Sequence, residues 1–203
     1  MKKYFKAIAL LAIIYMFFFI NVKAQAVDSV CVGTTGKNYY VTATAGSTYN
    51  WTINGGTKAS GGNTASITID FDSTAGVDTI YVVETDSNGC IGDQVALAIV
   101  RLPKPSAVIS GTSEICYNDS TGISVALSGN GPWTFSYSDG SNTTQISNHS
   151  SSTYNFSTGL LTPAATTTYT LITVTDQFGC SASGSGSAAI TVNPKPTTSQ
   201  IFH

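Results

Sequence analysis

The sequence has 203 residues, of which 42% are hydrophobic and only 10% are charged, and its formal net charge is −2. An average soluble domain carries about 25% charged residues, so the 29 Thr and 25 Ser of this chain must wet much of its surface. The composition argues against disorder, since disordered chains are poor in β-branched and aromatic residues. It also argues against nucleic-acid binding, because no basic patch exists, and against a coiled coil, because runs of Ala, Glu, Lys and Leu are missing.

Residues 1–24 have the pattern of a secretory signal peptide. A lysine-rich start precedes an apolar run from Ala7 to Ile20, and Val22-Lys23-Ala24 then offers small residues to a signal peptidase. The run is short for a membrane span of about 20 residues; a cut after Ala26 is the alternative. The leader carries four of the nine basic residues and no acidic one, so the exported chain has a net charge of −6. This charge disfavours anionic partners, and we expect no membrane insertion after cleavage.

The first half of the exported chain, residues 25–102, alternates apolar and polar residues with the period of two that is typical of β-strands. Turn signals at Asn54-Gly-Gly, Ser60-Gly-Gly-Asn and Ser87-Asn-Gly separate these segments. The alternation predicts that each strand buries one face. The inward-facing sets are Tyr39, Val41, Ala43 and Ala45; then Tyr49, Trp51 and Ile53; then Ala65, Ile67, Ile69 and Phe71.

A proline-rich linker at residues 103–105 leads into a second half, residues 106–193, with the same alternation. Turn signals recur there at Gly129-Asn-Gly-Pro and Ser138-Asp-Gly. Residues 194–203 repeat the linker composition and are predicted to be a stiff, linker-like tail. The inward-facing sets of the second half are Ile123, Val125 and Leu127; then Trp133, Phe135 and Tyr137; then Tyr154 and Phe156; then Ile190 and Val192.

The two halves are duplicates of one another. Each has a cysteine near its start, Cys31 or Cys116, and each has an Asp-x-x-Gly-Cys segment, which ends at Cys90 in the first half and at Cys180 in the second. An even number of cysteines in an exported chain indicates disulfides, and four cysteines allow three connectivities. The duplication favours Cys31–Cys90 and Cys116–Cys180, one bond inside each half. A zinc site is the alternative, but the close cysteine pairs and histidine partners of such sites are missing.

About seven short strands in each half, with turns about every 8–12 residues, are the pattern of a β-sandwich. We therefore predict an all-β protein of two tandem immunoglobulin-like sandwich domains, each with one intradomain disulfide. Trp51 and Phe135 stand in equivalent mid-strand places and, with Trp133, are predicted core aromatic residues. Tyr40 and Tyr81 lie off the inward register, which makes them candidate ligand-facing residues.

Two stretches resemble the tryptophan strand and Gly-Asp-Gly turn of PKD domains: Tyr49 to Gly56, with the pattern Tyr-x-Trp-x-Ile-x-Gly-Gly, and Trp133 to Gly140, with the pattern Trp-x-Phe-x-Tyr-x-Asp-Gly. Both halves are similar to the disulfide-containing PKD-like, immunoglobulin-like repeats of exported surface proteins in the Bacteroidetes. Many of those serve gliding motility or type IX secretion, so the resemblance implies a Gram-negative bacterium and a place at the cell surface or in the periplasm. The first half lacks the Asp of the Gly-Asp-Gly turn.

The residues that catalysis needs are not arranged in any familiar motif. The two histidines are His149, in a Ser/Thr/Asn-rich loop, and His203, the last residue, and neither has a nucleophile elbow nearby. Most acidic residues stand beside Gly, Asn or Ser, where a short carboxylate caps a turn. Calcium binding is an alternative, because a few hard oxygen ligands of the kind that calcium prefers are present. No familiar spacing of calcium ligands links these residues. The oxygens come from Asp70, Asp72, Asp86 and Asn88.

These observations predict a non-catalytic exported module with a structural or interaction role, adhesion among them, and with no cofactor or metal. Its expected partners are other surface proteins or glycans and not nucleic acids, and strand addition at an exposed sheet edge is the expected mode of protein contact. The alternative is a carbohydrate-binding module that uses exposed aromatic side chains such as Tyr40 or Tyr81. An enzyme is the most distant hypothesis and would depend on His149.

Overall fold

The structure is a computed structural model that describes residues 27–162 and 165–202. The predicted signal peptide at residues 1–24, and both of its cleavage points, lie outside the described residues. Every element named within the described ranges is a β-strand, and no helix there is long and apolar enough to cross a membrane.

The described chain divides into two compact units. Unit 1 holds the described residues up to Val30, together with Thr35–Phe71 and Gly76–Val100. Unit 2 holds Cys31–Thr34, Asp72–Ala75 and the described residues from Arg101 onward. Two short segments of the first sequence half are therefore part of unit 2.

Unit 1 is built from seven strands in two sheets. One sheet has the order β1-β7-β6-β3 and the other the order β2-β5-β4. The long pairing of β3 with β6 is antiparallel, as are the pairings of β5 with β2 and β4. The strands are β1 (Val27–Cys31), β2 (Lys37–Tyr40), β3 (Thr48–Asn54), β4 (Gly56–Ser60), β5 (Ser66–Phe71), β6 (Gly76–Thr85) and β7 (Val95–Leu102).

The core of unit 1 follows from the alternation along these strands. In β5 the burial switches at every residue, so that Ile67, Ile69 and Phe71 are buried, as predicted. Tyr49 and Trp51 of β3 face the same cluster, and the polar residues that alternate with them along the strand are exposed. Burial of side chains of this size contributes about 1.5–3 kcal/mol each, which makes this cluster the main stabilising element of the unit.

Unit 2 contains nine strands. β12, β11, β14 and β16 follow one another across a sheet, with β15 beside β14 and β9 beside β16, while β8, β10 and β13 form a second layer. A two-residue parallel contact between β16 and β8 connects these groups. The strands are β8 (Ser106–Ser110), β9 (Ser113–Cys116), β10 (Gly122–Ser128), β11 (Trp133–Ser138), β12 (Thr143–His149), β13 (Thr153–Ser157), β14 (Thr166–Thr175), β15 (Ser181–Ser183) and β16 (Ser185–Asn193).

The core of unit 2 lies between its two groups of strands. Phe135 of β11 is 1% exposed and contacts Tyr154 of β13 edge to face, with 5.4 Å between ring centroids. Val125 and Ile190 are fully buried in the same cluster. Aromatic pairs in this arrangement add about 0.5–1.5 kcal/mol beyond their buried area, so the aromatic residues of β11 and β13 hold the two groups together.

One disulfide forms, and it joins Cys31 to Cys180. The predicted pairings Cys31–Cys90 and Cys116–Cys180 are therefore wrong, and Cys90 and Cys116 are free and exposed. The physical reason is local: the segment from Cys31 to Thr34 belongs to unit 2, where Cys180 also lies. The Cα atoms of the bonded cysteines are 5.4 Å apart, which is within the normal range for a disulfide.

Candidate functional site

The disulfide connects two short turns that hydrogen bonds hold in place. The first, which we call the Cys31 turn, is residues 31–34. The N–H of Thr34 donates to the carbonyl of Cys31 at 3.1 Å, and Gly33 has a φ of 71°, a value that glycine adopts at no steric cost. Two further backbone hydrogen bonds anchor the turn: Val32 N donates to Leu102 O at 2.9 Å and Gly33 N to Asp72 O at 3.0 Å.

The second turn, residues 176–180, is the Cys180 turn. One carboxylate oxygen of Asp176 accepts hydrogen bonds from the N–H groups of Phe178, at 3.0 Å, and Cys180, at 2.9 Å. The Asp176 N–H in turn donates to the Cys180 carbonyl at 3.0 Å. This is the Asp-x-x-Gly-Cys segment of the sequence, and its aspartate organises the backbone that presents the cysteine. Asp176 and Cys180 are both buried.

The three predicted core aromatic residues lie in apolar surroundings. Trp51 is in the cluster of unit 1, where its indole N–H donates to the carbonyl of Thr64 at 2.9 Å. Trp133 and Phe135 are in the cluster of unit 2. Because Trp133 and Phe135 are buried in this cluster, their faces do not offer a stacking platform to a ligand.

The two candidate ligand-facing tyrosines have different surroundings. Tyr40, at the end of β2, is 76% exposed and lines a mostly apolar hollow of about 140 Å³ in unit 1 together with Trp51 and Val95. Tyr81 is half-buried on β6, where it pairs with Thr52 of β3. Tyr81 does not line that hollow, so the structure does not join the two tyrosines in one site.

Unit 2 has a polar hollow of about 170 Å³ that the sequence reasoning missed. Tyr137, Asp139, Asn142 and Tyr169 are among its lining residues. Burial raises the pKa of Tyr137 and of Tyr169. The Tyr-x-Asp-x-x-Asn spacing on the β11–β12 hairpin is the signal that marks this hollow in the sequence, because Asp139 and Asn142 share one turn.

The carboxylate of Asp139 is used by its own turn. The N–H groups of Asn142 and Ser141 donate to it at 2.6 and 2.8 Å, and these hydrogen bonds lower its pKa. Its oxygens are thus occupied in capping, which is the role that the sequence reasoning assigned to most acidic residues of this chain.

His149 has the surroundings of a structural residue. Its Nε2 atom lies 3.1 Å from the carbonyl oxygen of Thr153, and its ring packs edge-on against Phe135 and Tyr154. None of these contacts supplies a nucleophile or a carboxylate to orient the ring, as hydrolytic catalysis requires.

The oxygens considered for calcium are engaged separately. Asp70 accepts a hydrogen bond from the N–H of Gly36 at 2.7 Å. Asp86 caps its own turn by accepting from the N–H groups of Asn88 and Cys90, both at 2.8 Å. Within the described ranges, no group of three or more His, Cys, Asp and Glu side chains is placed to hold a metal ion.

Comparisons with known proteins agree with this architecture. A family model described as a PKD-like domain matches residues 20–99. An I-band fragment of titin is similar in fold, with a TM-score of 0.50 and 17% identity over 85% of this chain; the chain covers 65% of that fragment, less than two thirds of its length. A marsupial T cell receptor has a TM-score of 0.50 and 11% identity, with 86% of this chain and 73% of that chain covered. No curated protein matches the sequence.

The class of fold follows from these findings. The protein is all-β and immunoglobulin-like, residues 20–99 match a PKD-like domain, and one disulfide joins its two sequence halves. Folds of this class are typically non-catalytic and serve as structural or interaction modules. Disulfides persist in oxidising compartments, which is consistent with an extracellular or secreted location.

Proposed function

We propose that this chain is a non-catalytic structural and interaction module of a Gram-negative bacterium, made of two tandem PKD-like domains and exported to the cell surface or the periplasm. The observation that carries the proposal is the Cys31–Cys180 bond, which closes a sequence separation of 149 residues. A bond between these two positions takes up tension that would otherwise reach the residues between them. The residues between Cys31 and Cys180 therefore stay folded under load, which suits a structural module.

The proposed cellular location of this module comes from the sequence resemblance. The repeats to which this chain is similar belong to exported surface proteins, many of which serve gliding motility or type IX secretion. Exposed sheet edges such as β4, four of whose five residues are exposed, offer unpaired backbone groups to the strands of a partner protein. Other surface proteins or glycans are accordingly the proposed partners.

Single-molecule force spectroscopy tests this role. The chain is held by its two ends, with Cys90 and Cys116 replaced by serine so that only the Cys31–Cys180 bond remains. Without a reductant, the residues between Cys31 and Cys180 do not lengthen under load. With a thiol reductant, discrete unfolding events release a further length on the order of 500 Å, since an extended residue spans at most about 3.6 Å and the separation is 149 residues.

Two results would contradict the role. Equal lengthening with and without the reductant would mean that the bond does not protect the residues between the cysteines. Lengthening of the reduced protein without discrete force events would mean that the sandwiches themselves do not resist tension.

A second function, carbohydrate binding, is favoured by the position of Tyr40. Its ring is 76% exposed beside an apolar hollow, and exposed aromatic faces stack on sugar rings. A glycan array with the natural protein and with Tyr40→Ala checks this: saccharide binding that Tyr40→Ala abolishes would support it, and the exposed Tyr117→Ala serves as the matched control. No binding to any saccharide would reject it.

A further inference from the structure

The two free cysteines stand at positions that repeat the two ends of the existing disulfide. Cys116 has the same place in the second sequence half as Cys31 has in the first, and Cys90 has the same place in the first half as Cys180 has in the second.

The turn at residues 116–119, here the Cys116 turn, reproduces the backbone hydrogen bonds of the Cys31 turn. Asp119 N donates to Cys116 O at 3.1 Å, and Tyr117 N donates to Asn193 O at 3.0 Å, as Val32 N does to Leu102 O. Asn118 has a φ of 64° where the Cys31 turn has a glycine. A residue other than glycine seldom adopts this backbone conformation. The positive φ of Asn118 therefore shows that the Cys116 turn keeps the geometry of the Cys31 turn.

The turn at residues 86–90, here the Cys90 turn, reproduces the Cys180 turn. The N–H of Cys90 donates to the carboxylate of Asp86 at 2.8 Å, and the N–H of Asp86 donates to the Cys90 carbonyl at 3.0 Å. Gly89 has a φ of 85°. The turns that carry the free Cys116 and Cys90 therefore have the same backbone geometry as the two turns that the Cys31–Cys180 disulfide joins.

Burial is what distinguishes the bonded pair from the free pair. In the bonded pair, Cys180 is 0% exposed and Val32 is 9% exposed. In the free pair, Cys90 is exposed and Tyr117, at the position of Val32, is 45% exposed. A cleft of about 390 Å³ lies against Cys116 and Tyr117, lined also by Pro194-Lys195-Pro196. The free turns are thus open at the places where the bonded turns are covered.

We propose that Cys116 of one copy of this chain bonds to Cys90 of a second copy, head to tail, and that this bond repeats the Cys31–Cys180 linkage between copies. An unpaired thiol in an exported chain indicates either a bond between molecules or a free reactive group. A head-to-tail bond of this kind leaves one free Cys116 and one free Cys90 at the two ends of the assembly, so the assembly can grow. The inference deepens the proposed structural role, because it names the partner as a second copy.

The chemistry is a thiol–disulfide exchange with glutathione disulfide as the oxidant. The thiolate of Cys116 attacks glutathione disulfide, forms a mixed disulfide and releases one glutathione. The thiolate of Cys90 from the second copy then attacks the Cys116 sulfur, which forms the protein–protein bond and releases the second glutathione. Two thiol protons leave the protein, and its two electrons reduce one glutathione disulfide to two molecules of glutathione.

The test mixes two single variants of the full chain, Cys90→Ser and Cys116→Ser, under a glutathione buffer. The first variant keeps only the Cys116 thiol and the second only the Cys90 thiol, and both substitutions are at exposed positions. We expect the mixed dimer to exceed either homodimer by about tenfold or more, because docking of the two turns raises the effective concentration of the thiols. Peptide mapping of this dimer then finds Cys116 bonded to Cys90.

The matched control moves the thiol a few residues along the chain. Ser120→Cys in a Cys90→Ser and Cys116→Ser background carries an exposed thiol close to the Cys116 turn, and we expect it to lose the preference for the Cys116→Ser partner. Retention of the Cys31–Cys180 bond in every variant shows that each one folds. Homodimers in a statistical mixture, no dimer at all, or equal coupling of the control would each overturn the proposal. A Cys90–Cys116 bond within one chain would also overturn it, and peptide mapping of the natural protein oxidised in the same buffer detects that bond.

Failure of this experiment and failure of the proposed function are separate outcomes. The force measurement uses single molecules without Cys90 and Cys116, so it does not depend on any bond between copies. A protein that resists tension but forms no mixed dimer would keep the structural role and lose the head-to-tail linkage.

Discussion

Asp86 and Asp176 each cap a turn with a carboxylate, but Asp176 and the cysteine of its turn are buried, whereas the cysteine of the Asp86 turn is exposed. Each accepts hydrogen bonds from two backbone N–H groups of its own turn, one of which belongs to the cysteine that ends the turn. Asp176 is 6% exposed and Cys180 is fully buried, whereas Cys90 is exposed to solvent. An N–H group that loses its acceptor is hydrated by water at an exposed site and stays unsatisfied at a buried one.

We therefore expect Asp176→Ala to be the more damaging of two matched substitutions. Removal of the carboxylate leaves the buried Cys180 N–H without its acceptor, at a cost of about 1–3 kcal/mol. Asp86→Ala costs less, because water replaces the carboxylate. Urea unfolding of the two variants measures the difference, and an equal loss of stability in both would contradict this reading. Asp176→Asn, whose amide oxygen still accepts, is expected to recover part of the loss.

Acid is expected to weaken the fold through the turn-capping carboxylates. Backbone N–H groups, chiefly that of Cys90 for Asp86 and that of Asn142 for Asp139, hold the pKa of each carboxyl below its usual value of 3.8. A pKa lowered by folding means that the stabilisation is complete above pH 3.8 and is lost as the pH falls through the lower value in the folded state.

Two measurements check this dependence on pH. Carboxyl NMR titration is expected to give midpoints below 3.8 for Asp86 and Asp139 in the folded protein. The melting temperature is expected to fall more steeply below pH 4 in the natural protein than in a variant with both Asp86→Asn and Asp139→Asn. Identical slopes in the two proteins would show that these carboxylates do not contribute.

At the scale of the strands, the contact between β16 and β8 depends on one glycine. Gly186 pairs with Ile109 across this short parallel contact and has a φ of 77°. A Cβ atom there would meet the carbonyl oxygen of Ile109 at 2.5 Å, which is closer than atoms of this kind approach. The glycine is thus required both by its backbone conformation and by its neighbour.

Gly186→Ala is expected to destabilise unit 2 by more than its backbone strain alone. The left-handed conformation costs a non-glycine residue about 1–2 kcal/mol, and displacement of β8 adds to that. Gly140→Ala is the matched control, because Gly140 has a φ of 91° and nothing within 4 Å of its added Cβ. Denaturant unfolding measures the free energy of unfolding of both variants. Equal losses of stability would mean that β8 moves away from the added methyl group without a free-energy penalty.

Strand positions were predictable where the alternation of apolar and polar residues is strong. β5 and β10 bury the isoleucine, valine, leucine and phenylalanine residues that were predicted to face inward. The strand predicted from Tyr39 to Ala45 ends at Tyr40 instead. The hydroxyl of Tyr49 accepts the hydrogen bond of the Thr44 N–H, and a turn from Thr44 to Ser47 follows. The alternation of apolar and polar residues from Tyr39 to Ala45 does not show that the Tyr49 side chain, from the next strand, binds the Thr44 N–H.

At the scale of the whole molecule, the duplication could be read from the sequence but the cysteine pairing could not. Equivalent positions in two repeats are compatible with bonds inside each repeat and with a bond from one repeat to the other. The choice depends on where the Cys31 turn lies, and its hydrogen bonds to Leu102 and Asp72 place it in unit 2. The Tyr-x-Asp-x-x-Asn spacing marks only the hairpin side of the polar hollow around Asp139, and the hollow itself escaped prediction because β13 and β14, which are distant in sequence, form the rest of its wall.

The bond between Cys31 and Cys180 also makes a large contribution to stability. In the chain-entropy account, closing a loop of this length stabilises the folded state by about 5 kcal/mol, and the separation is 149 residues. Cys31→Ser is therefore expected to lower the free energy of unfolding by about that amount. Cys116→Ser, at the equivalent but unbonded position, is expected to leave the monomer unchanged. Chemical unfolding of both variants in monomeric form measures the contrast.

The Cys31–Cys180 bond is tested most directly by peptide mapping of the monomeric protein without reduction, after its free thiols have been alkylated. We expect one disulfide-linked peptide pair that contains Cys31 and Cys180, together with alkylated Cys90 and Cys116. Recovery of Cys31 linked to Cys90, and of Cys116 linked to Cys180, would contradict it. That result would remove the basis of both the proposed protection against tension and the head-to-tail bond.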